Sequence, residues 1–130
     1  METTQTKSPA NILFLTIMIA LAYIVAGKAG SFFSIPPGFA SAIWPAAGIG
    51  LASALIYGAL PAFLGVYLGA FGVNTLNVLE YTGPFSYGSL LLPSIMALGA
   101  SLQVLTGALL LKKTVTFPLR FVVQKEIFLF

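Results

Sequence analysis

The chain has 130 residues, 58% hydrophobic and 7% charged, with a mean hydropathy of +1.01 and a net charge of +3. A soluble domain carries roughly 25% charged residues, so this composition excludes one. His, Cys and Asp are absent, which excludes a disulfide, a thiol nucleophile, a His/Cys metal site and a Ser-His-Asp triad.

The charges mark out the apolar spans. Residues 29–79 carry none, and neither do residues 81–111. A bilayer core about 30 Å thick takes about 20 apolar residues per helix. The first gap therefore holds two spans, the second holds one, and a further span precedes Lys28. The fold expected is an all-α, polytopic transmembrane bundle of four spans.

In chain order, residues 1–9 form a polar tail, in which Ser8 caps a helix and Pro9 suits its first turn. The first span covers approximately 10–33. A cleaved signal peptide is the rival reading, but the apolar stretch exceeds the usual 7–15-residue core of such peptides and further spans follow it. Pro36, Pro37 and Gly38 end this helix, because two backbone donors are missing and a tight turn becomes accessible. The second span covers approximately 39–58, with Pro45 and Gly48 as break points inside it. A short turn around Gly58 and Pro61 leads to the third span, approximately 60–79. Residues 80–88 read as an exposed loop, with tyrosines at the interface. The fourth span, approximately 90–111, is stopped by Lys112 and Lys113. Beyond it, Phe117, Phe121 and Phe128 fall near one face of an amphipathic or incomplete fifth helix. The chain ends with no stop signal, which reads as truncation at the C-terminus.

Orientation follows from the lysines. Lys7 precedes the first span and Lys112-Lys113 follow the fourth, so an even number of crossings puts them on one side and Glu80 on the other. The positive-inside rule makes that first side the cytoplasm, N-terminus included. Lys28 is the exception near the outer end of the first span, where its long stem can snorkel to the interface.

Small residues recur at helical spacing: Ala22 and Ala26 in the first span, Gly65 and Gly69 in the third. In lipid such faces let helix backbones approach closely. Packing within one bundle is the plain reading, and homodimerisation is the alternative. Trp44 precedes a proline and is pushed out of helical geometry. A kinked continuous helix is the reading adopted for 39–58. Its rival is a half-helix from Pro45 that aims its positive end at a buried cavity. Asn74 and Asn77 share one face of the third span, as do Gln103 and Thr106 in the fourth. Intramembrane polar groups face the bundle interior, so with Trp44 they form a candidate ligand pocket on the outer side. No carboxylate or His lies within a span, which argues against a proton relay.

Three stretches of this sequence resemble one family. Pro36-Pro37-Gly38 is followed by Ile43-Trp44-Pro45-Ala46-Ala47-Gly48-Ile49, and Leu68-Gly69-Ala70-Phe71 lies ahead of Asn74. The fourth span adds Gly99, Leu102, Leu105 and Gly107 through Lys113, with Phe117 and Pro118-Leu119 beyond. Together they resemble the bacterial membrane-associated sensor domain of the first type (MASE), over roughly residues 12–130. The resemblance implies an all-helical domain of about eight spans, of which residues 10–130 would be the N-terminal half. It also implies a cytoplasmic output domain, of kinase or diguanylate cyclase type, absent from this chain. Phe39, Ala42, Ala46, Ala100 and Gln103 depart from the family pattern.

The expectation is therefore a non-enzymatic sensory input domain in the bacterial cytoplasmic membrane. Its partners are the lipid bilayer, an output domain and a second copy; no nucleic acid, metal or cofactor is implied. The competing class is a small-solute binding subunit of a transporter, like the membrane S component of energy-coupling-factor systems, on the strength of Ala22 and Ala26. A degenerate structural remnant is the third reading.

Overall fold

A computed structural model describes residues 8–33, 41, 43–82 and 87–114. The chain folds into four helices: α1 (Pro9–Ser31), α2 (Pro45–Ile56), α3 (Ala59–Thr82) and α4 (Tyr87–Thr114). Among the described residues there is no strand. Three helices, α1, α3 and α4, are long and apolar enough to cross a membrane. Their outward faces carry large apolar side chains such as Leu13, Phe14, Leu21, Leu91 and Ile95. That is the surface a lipid-facing bundle presents, since water does not compete for it.

Two sequence expectations change here. The second span is not a kinked helix over 39–58. Its regular part begins at Pro45, because Trp44 is extended at φ −120° and ψ 83° and the proline takes the first helical position. Twelve residues at 1.5 Å each give a rod of about 18 Å, short of the bilayer core. Gly48 lies inside this helix and breaks nothing. The second change is Ser8, which stands at the N-cap of α1 without a side-chain cap; its carbonyl accepts the Asn11 and Ile12 amides instead. Pro36, Pro37, Gly38 and the expected fifth helix lie outside the described residues.

The contacts fix the chain direction. Gly65 meets Ile19, Gly69 meets Tyr23 and Val73 meets Gly27, so α1 and α3 run the same way. Gly50 meets Val104 and Leu51 meets Gly107, so α2 and α4 also run together. The ends of α1 and α3 meet through Lys28 and Glu80, and the start of α3 meets the end of α4 at Ala59 and Lys112. The helices therefore alternate in direction from α1 to α4. The α2 and α3 helices each touch all three others, while among the described residues the α1 and α4 backbones do not come together.

Lipid supplies no hydrophobic drive between helices, so close approach and dispersion must hold them. The α1·α3 seam achieves this with Gly65 and Gly69 pressed against Thr16, Ile19, Ala20 and Tyr23. Gly50 does the same where α2 meets Val66 and Val104. Of the alanines expected on this seam, Ala26 is half-buried and packs on the core, but Ala22 is exposed. The packed face of α1 is Thr16, Ile19, Tyr23, Gly27 and Gly30, rotated from the alanine row. The buried core adds Ala46, Ala54, Ala62, Val66, Ala70, Val73, Ala97, Val104 and Ala108.

Candidate functional site

The short α2 helix creates the site. Because its first helical residue is Pro45, Trp44 sits at its mouth and packs its ring over Gly30 of α1. A side chain at position 30 would approach the Trp44 ring at 3.2 Å, so the glycine makes room for the indole. The Trp44 Nε1–H donates to the Tyr23 hydroxyl at 3.5 Å, and Tyr23 itself is only 3% exposed. Ser41 closes the corner by donating to the carbonyls of Gly30 and Ile43, at 3.1 and 2.6 Å.

Two cavities meet at this aromatic pair. One, of about 240 Å³, is lined by Ser41, Asn74, Asn77 and Met96 together with Tyr23, Trp44 and Ala100. The other, of about 340 Å³, lies further along α4 and is lined by Gly48, Leu51, Gln103, Val104 and Gly107 with the same three shared residues. Nothing lies within 4 Å of where a Gly48 side chain would start, so this glycine forms open cavity wall.

No family model, curated protein or solved structure matches this chain.

Of the residues singled out in the sequence, Trp44, Asn74 and Asn77 come together in the first cavity. Gln103 is exposed and lines the second, which Trp44 also lines. Thr106 does not join them; it is exposed and donates to the Leu102 carbonyl of its own helix at 2.9 Å. Asn77 has a further role. Its side-chain oxygen accepts from Lys28 Nζ at 3.2 Å, and its amide donates to Ser31 at 3.4 Å.

Lys28 therefore has partners and does not simply reach for water. Its ammonium lies 2.6 Å from Glu80, with the side chains 33% and 57% exposed. The pair clamps the ends of α1 and α3 beside the first cavity. Sequence reasoning missed Tyr23, which looked like one more apolar-span residue. The available signal was its hydroxyl, which lies mid-span one turn from Ile19 and Gly27 and demands a partner when buried.

Proposed function

We propose that the chain is the membrane-embedded input portion of a bacterial sensor of the first membrane-associated type. In this reading it crosses the cytoplasmic membrane four times, with α2 in the second crossing. Both ends of the described bundle, Ser8 and Thr114, then face the cytoplasm. A ligand or a membrane-state signal enters near Trp44, Asn74 and Gln103 and shifts the population between two helix packings. The segment after Lys113 carries the change to a cytoplasmic output module, and the chain itself performs no catalysis.

The observation that carries this reading is the pair of cavities meeting at Tyr23 and Trp44. They border the Trp44 end of α2, against α3 and α4. Each carries polar side chains, Asn74 and Asn77 in one and Gln103 in the other, which a purely structural remnant does not require.

Two measurements test it. An N-terminal tag at the native locus reports the product's mass by immunoblot; a species far above 13.7 kDa supports an input domain joined to its output. A product near 13.7 kDa favours a free-standing binding subunit of a transporter, which co-purification with ATPase subunits would establish. In the native product, Trp44→Ala, Asn74→Ala and Gln103→Ala should each alter signalling output. Unchanged output in all three, at normal membrane abundance, refutes the site.

A further inference from the structure

We infer that the two cavities form one elongated site for an uncharged amphiphile, with a hydrogen-bonding head and a slim apolar arm. This rests on the ligand-site reading above and adds the chemistry of the occupant. The head end is the cavity with Ser41, Asn74 and Asn77, next to Lys28 and Glu80. The Asn74 and Asn77 amides donate and accept, and the Ser41 oxygen, its proton given to backbone carbonyls, accepts; that set suits an amide, alcohol or carbonyl. The arm end runs along α4 past Gly48, Leu51, Val104 and Gly107, which are small or aliphatic, with the Gln103 amide as a single polar group at its edge. Trp44 and Tyr23 form the waist, common to both ends.

Charge decides against an ion. Among the described residues, none that lines either cavity is charged. The nearest ammonium, Lys28, is already matched by Glu80 at 2.6 Å and by Asn77 at 3.2 Å. An anion entering here would compete with Glu80 for Lys28, and a cation would meet no carboxylate free of its partner. Either would leave water without a counter-charge, a cost of several kcal/mol on general grounds. A neutral head exchanges water hydrogen bonds for those of Asn74, Asn77 and Ser41 and meets no such cost. The polar end lies towards the end of the bundle and the apolar end towards its middle, so the site matches the polarity gradient of the bilayer around it.

Trp44 is the sole tryptophan, so its emission reports the waist directly. The test uses the full chain in phosphatidylcholine nanodiscs, titrated with decanamide, decanoate and decyltrimethylammonium, which share one arm and differ in head charge. The expected result is a saturable Trp44 response to decanamide, half-complete at a membrane mole fraction at least about tenfold below that of either ion. An equal or stronger response to an ion overturns the neutral class, while leaving a ligand site in place. No saturable response to any of the three overturns the site itself.

The source of the occupant is read separately, by organic extraction of protein purified from its native membrane. Stoichiometric neutral lipid supports the assignment and makes the occupant a membrane constituent. Protein free of lipid that decanamide then saturates supports it and points to a solute. Stoichiometric anionic lipid overturns it. Because none of these readouts uses signalling, a filled site with unaltered output would sink the sensor reading and leave this one standing.

Discussion

Gly65→Ala is the sharpest perturbation of the α1·α3 seam. The added methyl would lie 2.7 Å from both Ile19 Cβ and Ile19 Cγ2 and 3.0 Å from the Thr16 carbonyl oxygen. Ordinary contact begins at 3.4 Å, and two of these three atoms are fixed to or part of the α1 backbone. No rotamer change relieves them, so the helices must separate by roughly 1 Å. At that gap each facing atom pair forfeits about a quarter to a half of a well of about 0.1–0.2 kcal/mol. Over several tens of pairs along the seam the loss comes to about 1–3 kcal/mol, the range typical of overpacking. The gain in helix propensity, about 1 kcal/mol for Gly to Ala, offsets part of it. Gly99→Ala receives that gain with nothing within 4 Å to oppose it, so it is the matched control. Unfolding in mixed detergent micelles, followed by Trp44 emission, should place Gly65→Ala below Gly99→Ala by about 1–3 kcal/mol. Equal stability of the two variants would refute the seam. Gly69→Ala meets Tyr23 Cβ at 2.7 Å and the Ala20 carbonyl at 3.0 Å, so the same separation relieves both sites. The double variant should therefore cost less than the sum of the singles, by about 1 kcal/mol.

Three further outcomes are expected. Lys28→Met and Glu80→Gln, taken through a double-mutant cycle, should show a coupling of about 0.2–1 kcal/mol that shrinks with added salt, since the pair is partly exposed; a salt-independent or absent coupling argues against the clamp. Gly58 has φ +98°, so Gly58→Ala should destabilise by about 1–2 kcal/mol although nothing lies within 4 Å of the new methyl; a neutral effect would refute that turn. The chain has no cysteine, so single-cysteine variants Ser8→Cys, Glu80→Cys and Thr114→Cys can be labelled on intact cells with a membrane-impermeant maleimide. Only Glu80→Cys should react if both ends face the cytoplasm, and the reverse pattern inverts the proposed topology.

Much of the helical layout was legible because lipid imposes it. Charge-free stretches of bilayer length give helices, and the expected third and fourth spans, 60–79 and 90–111, fall within α3 (Ala59–Thr82) and α4 (Tyr87–Thr114). The spacing of Gly65 and Gly69 was enough to place a packing face, because a helix turn repeats every 3.6 residues. What could not be read was register between helices. Ala22 and Ala26 have the same spacing as Gly65 and Gly69, yet Ala22 faces outward. A rotation of α1 about its axis decides which row packs, and that depends on Tyr23 and Gly27 finding Gly69 and Val73. Lys28 and Glu80 lie 52 positions apart, and only the parallel run of α1 and α3 brings them together. Trp44, Asn74, Asn77 and Gln103 were visible as polar groups in apolar surroundings; Gly48 was read as a helix break and not as cavity wall, because open space beside a glycine leaves no mark on the sequence.

Gly58 has a mechanical consequence. Only Tyr57 and Gly58 separate α2 from α3, so the far end of α2 is pinned while its Trp44 end borders the cavities. A rod of about 18 Å held at one end is a pointer: each ångström of push at Trp44 swings it by about 3°. Occupant size would then be converted into an angle, so that in the proposed sensor a homologous series of compounds with lengthening arms would give graded output, from partial to full agonists, at one and the same site.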